Sequence, residues 1–145
     1  MSELIKNILE ARVGDLQLPR TIQTCSPDAL VHNVVTKMRE SKIGCMVVVS
    51  DEKPVGLFTE HDYLMKIACL GINVRRAKIK NYMSANPAVV STRDSVGTVL
   101  MKLRLGHFRQ VVVIDGHGKL RDTLSIKDML DLLLSAITQK YALAA

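Results

Sequence analysis

The sequence is poor in aromatic residues, with two Phe, three Tyr and no Trp among 145 residues. Nearly half of the residues (48%) are nevertheless hydrophobic, so the core has to be built from Val, Ile, Leu and Met. Proteins that bind single-stranded nucleic acid usually stack the bases on aromatic side chains. The shortage of aromatics therefore argues against nucleic-acid binding, although the net charge is +6 and residues 75–80 form a basic run. We interpret that run as a solvated linker.

The sequence also lacks the cysteine and histidine patterns of disulfide or metal frameworks. Cys25, Cys45 and Cys69 are odd in number and have no C-x-x-C spacing, which is typical of free thiols in a reducing compartment. The four His residues are not spaced as metal ligands, so we expect no metal site. No secretory leader and no long apolar run is present. We therefore expect a cytoplasmic protein that does not enter a membrane.

Motifs for catalysis are missing as well. There is no glycine-rich loop of the P-loop or dinucleotide type. Ser125 and Cys45 have no base near them in the sequence, so a nucleophilic mechanism has little support. We expect no enzymatic activity and no catalytic residue.

The chain consists of two copies of one unit. Residues 5–11 (IKNILEA) return as 79–85 (IKNYMSA), and 46–51 (MVVVSD) return as 111–116 (VVVIDG). In both copies a short strand precedes an amphipathic helix, two further strands and a second helix. The first strand is expected at 21–24 in the first copy and at 88–91 in the second.

This order predicts an α+β fold in which two β-α-β-β-α repeats pack their sheets together about a pseudo-twofold axis, because neither half is large enough to be very stable alone. The expected segments are a first repeat at 5–66, a linker at 67–78, a second repeat at 79–135 and a C-terminal helix or tail at 136–145.

A hydroxyl residue stands three positions before an acid in both copies, as Thr59 with Asp62 and as Ser125 with Asp128. One interpretation is a helix N-cap closed by the acid, as in a capping box. Asp is shorter than the Glu or Gln that usually closes such a box, so we expect its carboxylate to be free and to face outward. The other interpretation is a ligand site, where the hydroxyl contacts a phosphate and the acid accepts two hydrogen bonds from a ribose diol. Recurrence at matching places favours ligand binding.

These segments resemble a tandem pair of CBS domains, the family named after cystathionine β-synthase. The resemblance is carried by MVVVSDEKPVGLFTEHDYL and VVVIDGHGKLRDTLSIKDML at corresponding places, and IKNYMSANPAVV is similar to the segment that opens such domains. It covers residues 5–66 and 79–134. It implies a non-catalytic sensor that binds an adenosine ligand (AMP, ADP, ATP or S-adenosylmethionine) in two clefts between the halves.

The resemblance also implies roles for single residues in the main cleft. In the cleft built on Thr59 and Asp62, the acid would hold the ribose. Arg109 and Lys127 would reach the phosphates through charge-assisted hydrogen bonds. On this basis we expect Asp62→Ala to abolish most nucleotide affinity and to leave the fold intact, and Asp128→Ala to matter less.

The adenine of the main cleft would lie among apolar residues, and backbone groups of Ala88 or Val89 would read its edge. The residues expected to enclose the base are Leu57, Ala88, Val89, Phe108 and Val112. Without the resemblance, Phe108 would be interpreted as a core residue.

The second cleft, built on Ser125 and Asp128, is expected to be weaker. Gly44 stands where the main cleft has Arg109, and His61 stands where it has Lys127. An additional carboxylate, Asp122, replaces the glycine found at the matching place of the first copy. The residues expected to line this cleft are Ile22, Ile43, Val47, His61, Ser125 and Asp128.

The C-terminal helix is apolar on more than one face through residues 132–134, which indicates burial against a partner. Tandem CBS proteins commonly dimerise through their helices, so the resemblance predicts a homodimer. It also predicts a stand-alone regulatory module that senses adenine nucleotides and acts on a separate client protein. The alternative is a structural or interaction module whose clefts no longer bind a ligand.

Overall fold

The structure, a computed structural model, describes residues 2–18, 22–106 and 108–144. The helices are α1 (Ser2–Glu10), α2 (Val31–Ser41), α3 (Glu60–Lys66), α4 (Val96–Leu105) and α5 (Ile126–Ala144). The strands are β1 (Thr24–Cys25), β2 (Cys45–Ser50), β3 (Lys53–Thr59), β4 (Ser84–Ala85), β5 (Val89–Ser91), β6 (Gln110–Ile114) and β7 (Leu120–Ser125). Two short 3₁₀ helices lie at Val13–Asp15 and Ile79–Asn81. The α+β class and the β-α-β-β-α order of both repeats are confirmed.

Within the described residues the chain forms two compact units. Residues 22–87 form the first unit, and residues 2–18 form the second unit together with 88–144. The α1 segment therefore belongs with the second repeat, although it opens the first repeat in the sequence. The segment 79–87 likewise packs in the first unit although it opens the second repeat. Packing and sequence duplication thus divide the chain differently, and the domain boundaries drawn from the repeat stay a prediction.

The first unit contains a sheet of order β1-β2-β3-β4, in which β1 is parallel to β2 and the other neighbours are antiparallel. The β2–β3 hairpin turns through Asp51 and Glu52, both with positive φ (52° and 65°), as a tight two-residue turn requires. The core of this unit lies between its sheet and helices. Its buried residues are Val31, Val34, Met38, Met46, Val48, Phe58, Ile67 and Ile79.

The predicted first strand lies slightly later than the sequence pattern suggested. The structure has β1 at Thr24–Cys25, paired with Val47 and Val48 of β2, and Ile22 is outside it. Thr21 lies outside the described residues. The strand is short because the turn at residues 27–28 follows it almost at once.

The second unit has a sheet of order β5-β6-β7, with β5 parallel and β7 antiparallel to β6. The N-terminal segment is attached to it by a hydrogen bond from the Val13 N–H to the Asp94 carbonyl at 2.8 Å. Ile8, Leu16 and Leu18 pack against the core of this unit. The buried core residues are Val13, Val90, Val96, Val99, Leu103, Val111, Val113, Leu124 and Met129.

Candidate functional site

Thr59 ends β3 in an extended conformation and serves as the N-cap of α3. Its hydroxyl accepts a hydrogen bond from the Asp62 N–H at 3.2 Å, while the Asp62 Oδ2 accepts from the Thr59 N–H at 3.0 Å and from the Thr59 hydroxyl at 3.1 Å. The capping box is therefore closed, and Asp62 is only 6% exposed. The expectation of a free, outward carboxylate is wrong, because the extended backbone of Thr59 brings its N–H within reach of the shorter acid.

The other oxygen of Asp62 has two donors of its own. Its Oδ1 accepts a hydrogen bond from the Ser84 hydroxyl at 3.1 Å and lies 3.0 Å from the Lys66 ammonium. Lys66 also donates to the Tyr82 carbonyl at 3.0 Å. We call Asp62, Lys66, Tyr82 and Ser84 the Asp62 cluster. The sequence did not indicate Ser84, since nothing in the motif around Asp62 points to a residue 22 positions later. Lys66 was missed although it stands four positions after Asp62, a spacing at which side chains of a helix meet.

The second repeat builds the same capping geometry. The Asp128 Oδ2 accepts from the Ser125 N–H at 2.8 Å and from its hydroxyl at 3.0 Å, and the Asp128 N–H donates back to Ser125 at 3.2 Å. The residue one turn after Asp128 is Leu132, where the first repeat has Lys66. The capping box therefore holds Asp62 and Asp128 in the same way, but the residue one helical turn later differs between the repeats.

Lys127, one of the two cations expected at the phosphates, forms an ion pair with Asp131 at 3.0 Å on the exposed side of α5. Arg109, the other cation, precedes β6 and is exposed. Both cations belong to the second unit, whereas Asp62 belongs to the first unit. The main cleft combines side chains of the two units and stays a prediction.

The apolar residues of the predicted clefts divide between the units. In the first unit, Leu57 and Val47 are cross-strand partners on the face of the sheet opposite Met46 and Val48, and both are buried. Ile43 packs against the core cluster that contains Met46 and Val48, so it lies on the other side of β2 from Val47. The structure therefore does not place Ile43 and Val47 on one face.

In the second unit, Ala88, Val89 and Val112 lie together at the β5–β6 pair. The Ala88 carbonyl accepts from the Val112 N–H at 2.8 Å, and the register pairs Val89 with Val112. The polar backbone groups of Val89 consequently point away from β6. Its carbonyl accepts a hydrogen bond from the Lys102 ammonium, a contact that the sequence did not indicate. Phe108 is 43% exposed, so the alternative interpretation of it as a core residue is wrong.

The glycine–aspartate difference between the repeats has a packing explanation. Gly56 lies between Val48 and Ala85 in the sheet, and a Cβ there would overlap the Met83 side chain, 3.0 Å from its Cγ. Asp122 lies on β7, which has a strand on one side only within the described residues. His61, which matches Lys127, is exposed, and His107 lies outside the described residues.

The basic run at 75–80 is partly neutralised. Asp28 lies 3.0 Å from the Lys80 ammonium and 3.4 Å from the Lys78 ammonium. Hydrogen bonds from Lys80 and Lys78 hold the pKa of the Asp28 carboxyl below its usual value. These pairs favour the interpretation of the run as a solvated linker over a nucleic-acid surface.

The described residues offer neither a metal site nor a membrane span. Among the described residues no three His, Cys, Asp or Glu side chains are grouped closely enough to hold a metal ion. In the same part of the chain, no helix has both the length and the apolar character that crossing a bilayer requires.

The sequence model of the CBS domain matches residues 13–69 and 79–135, and the chain belongs to the CBS-domain family. An uncharacterized protein from Methanopyrus kandleri is 29% identical over 113 residues, which are 77% of this chain and 57% of that protein. A CBS domain-containing protein from Arabidopsis thaliana is 26% identical over 112 residues, 77% of this chain and 20% of that protein. The chain thus spans less than two thirds of the length of these relatives.

Solved structures of similar fold are tandem CBS proteins. A CBS domain protein from Pyrobaculum aerophilum, solved in complex with AMP, is 25% identical, with a TM-score of 0.75 over 88% of this chain and 99% of that chain. A putative signal-transduction protein with CBS domains from Burkholderia ambifaria is also 25% identical, with a TM-score of 0.75 over 85% of this chain and 91% of that chain. The resemblance seen in the sequence is confirmed at the level of family and fold.

Proposed function

We propose that this protein is a regulatory module that binds an adenine nucleotide (AMP, ADP or ATP, with S-adenosylmethionine as a further candidate) and acts on a separate client protein without catalysing a reaction. CBS-domain pairs are regulatory modules, and the relative from Pyrobaculum aerophilum was solved with AMP. These facts support the ligand class.

The observation that carries the proposal is how the two oxygens of Asp62 are used. The capping box employs Oδ2 alone, while Oδ1 accepts from a hydroxyl group at 3.1 Å and lies 3.0 Å from an ammonium. A ribose diol offers hydroxyl donors of the same kind. Capping and ligand binding are therefore compatible: the cap orients the acid, and Oδ1 is the atom that a sugar would take.

The remaining roles follow the family resemblance. Arg109 and Lys127 would bind the phosphates, with Lys127 exchanging its partner Asp131 for the ligand; that pair is exposed and therefore contributes at most about 1 kcal/mol. The adenine would contact Leu57, Ala88, Val89, Phe108 and Val112. Because Lys102 already donates to the Val89 carbonyl, an adenine amino group would have to displace it there.

A second, weaker site would use Ser125 and Asp128, with His61 in place of a phosphate-binding cation. Its other predicted residues are Ile22, Ile43 and Val47.

We further propose a homodimer in the cytoplasm. Ile126, Leu130 and Leu134 recur every four residues on α5 and are all more than half exposed, so they form an apolar stripe suited to a second copy. The three free cysteines fit a reducing compartment. A monomeric mass by light scattering would contradict the dimer.

The alternative, a structural or interaction module, is favoured by one observation: both oxygens of Asp62 already have protein donors. Titration calorimetry with AMP, ADP, ATP and S-adenosylmethionine distinguishes the two functions. Absence of heat with all four ligands would support the alternative.

The sharper test is Asp62→Asn. An asparagine retains one oxygen for the capping box and places an NH₂ group, a donor, at the Oδ1 position. A hydrogen bond to a charged group contributes about 1.5–3 kcal/mol, so we expect roughly tenfold to hundredfold weaker nucleotide binding. Asp128→Asn is the matched control and should have the smaller effect. Equal affinity in Asp62→Asn and the parent protein would refute the ranking of the clefts.

A further inference from the structure

The Asp62 cluster connects α3 to the segment in which the chain leaves the first unit. Lys66, in the last turn of α3, lies between the Asp62 carboxylate and the Tyr82 carbonyl, with 3.0 Å to each. Ser84 contacts the same carboxylate oxygen at 3.1 Å. The Asp62 side chain is 8% exposed and the Lys66 side chain 39%, so the acid lies beneath its two donors rather than at the surface.

The segment held by this cluster ends in β4. Strand β4 is two residues long and pairs with β3 through Gly56 and Leu57 only. Ser84 and Ala85 are both exposed, and the chain passes into the second unit at residue 88. The contacts to Asp62 and Lys66 therefore add to the packing of Tyr82 and Met83 on the core of the first unit in holding β4.

We propose that Lys66 and Ser84 determine the affinity of the Asp62 site and couple its occupancy to β4. This inference rests on the proposed function. A ribose diol takes the Oδ1 atom of Asp62 only after displacing the Ser84 hydroxyl and the Lys66 ammonium. Binding then removes two attachments of residues 82–85, and the connection between the units gains mobility.

The second repeat lacks part of this arrangement. Its residue matching Lys66 is Leu132, which has no charge to offer an acid. A lysine at this position is therefore a feature of the first repeat.

The ligand and β4 compete for the same carboxylate oxygen, so a change that weakens the contacts of β4 to Asp62 should strengthen ligand binding, by a factor no larger than the weakening. Ser84→Ala removes one competing donor without changing the charge. We expect AMP to bind about fivefold more tightly to this variant, the factor that corresponds to one modest hydrogen bond. Ser84→Thr keeps the hydroxyl and is the matched control, with parental affinity.

Lys66→Met removes the second competitor and also a positive charge, which would itself attract an anionic nucleotide. Its affinity is therefore measured with adenosine, which has no phosphate. Lys66→Met should bind adenosine more tightly than the parent protein does. Hydrogen exchange of the amides of residues 82–85 provides the second readout. Saturating AMP should accelerate exchange there in the parent protein, and Ser84→Ala should accelerate it without ligand.

The outcomes are distinguishable. If the parent binds AMP but Ser84→Ala binds it equally or more weakly, the coupling is wrong while the nucleotide site stands. If AMP binds and slows or does not change exchange at 82–85, the displacement step is wrong. If neither the parent nor any variant binds AMP, ADP, ATP, S-adenosylmethionine or adenosine, the proposed function fails and the coupling fails with it.

Discussion

Replacing Asp62 with alanine should destabilise the protein even without a ligand. The substitution removes the acceptor of the Thr59 N–H and hydroxyl at 3.0 and 3.1 Å, the acceptor of Ser84 at 3.1 Å and the ion-pair partner of Lys66 at 3.0 Å. The sequence alone led us to expect an intact fold and lost affinity. The structure adds a stability cost, because a buried acid with four contacts cannot be removed without leaving donors unpaired.

The magnitude can be bracketed from these contacts. Loss of an N-cap interaction costs about 0.5–2 kcal/mol. Each hydrogen bond to a charged group contributes about 1.5–3 kcal/mol, and a half-exposed ion pair contributes at most about 1 kcal/mol. The contacts share one carboxylate and are not additive, so we expect a loss of roughly 2–4 kcal/mol in the free energy of unfolding. That is a large part of the ~5–15 kcal/mol typical of a domain, but it leaves the folded state populated.

Urea denaturation followed by circular dichroism measures this loss. With a slope of about 2 kcal/mol per molar urea, the midpoint should fall by about 1–2 M. Asp131→Ala is the control, since Asp131 is 59% exposed and pairs with an exposed lysine, and it should cost less than ~0.5 kcal/mol. If Asp62→Ala were as mild as Asp131→Ala, the contacts assigned to the buried carboxylate would not stabilise the protein.

Two other predictions concern packing and thiol chemistry. Gly56→Ala should cost about 1–3 kcal/mol in urea denaturation, because its Cβ would overlap the Met83 side chain. In a Met83→Ala background the Gly56 substitution should cost less, whereas Gly116→Ala, with no atom within 4 Å of its Cβ, should be neutral; equal costs at the two glycines would contradict the overlap. Burial raises the pKa of the Cys25 thiol from 9.0 to about 11, so at pH 8 a thiol reagent should modify the exposed Cys69 well before Cys25. The folded pKa of Cys25 lies above the unfolded one, so its contribution to stability is complete below pH 9 and is lost as the pH rises to 11; a parent protein and a Cys25→Ala variant with the same alkaline stability profile would contradict this.

Much of the fold could be predicted because it depends on local patterns. The β-branched runs gave the central strands, and the start of α3 at Glu60 follows directly from Thr59 as an N-cap. Because the same pattern recurs later in the sequence, it also predicted the elements of the second repeat. These signals lie within a few neighbouring residues, so they can be recognised without knowledge of the tertiary structure.

The contacts that define the candidate site could not be predicted in the same way. Ser84 reaches Asp62 across 22 positions, and Lys102 reaches the Val89 carbonyl across 13. Neither pair has a sequence spacing that signals contact, because both depend on how a helix lies against a strand edge. The placement of α1 with the second repeat is of the same kind, since the duplicated sequence of residues 5–11 does not reveal which core it covers.

The two repeats differ at the positions of Gly56 and Lys66, and in the first repeat both residues contact the same segment. Gly56 and Lys66 of the first repeat both contact the segment 82–85, through Met83 and Tyr82 respectively, whereas their counterparts are Asp122 and Leu132. A glycine leaves room where Met83 lies over the sheet, and a cation fits where a carbonyl and a buried acid approach each other. The sheet of the second repeat has no strand beyond β7 within the described residues, so it has no counterpart of β4. In the first repeat β4 lies against Asp62 through Ser84. Whether the Oδ1 atom of Asp62 is available to a ligand therefore depends on the position of β4.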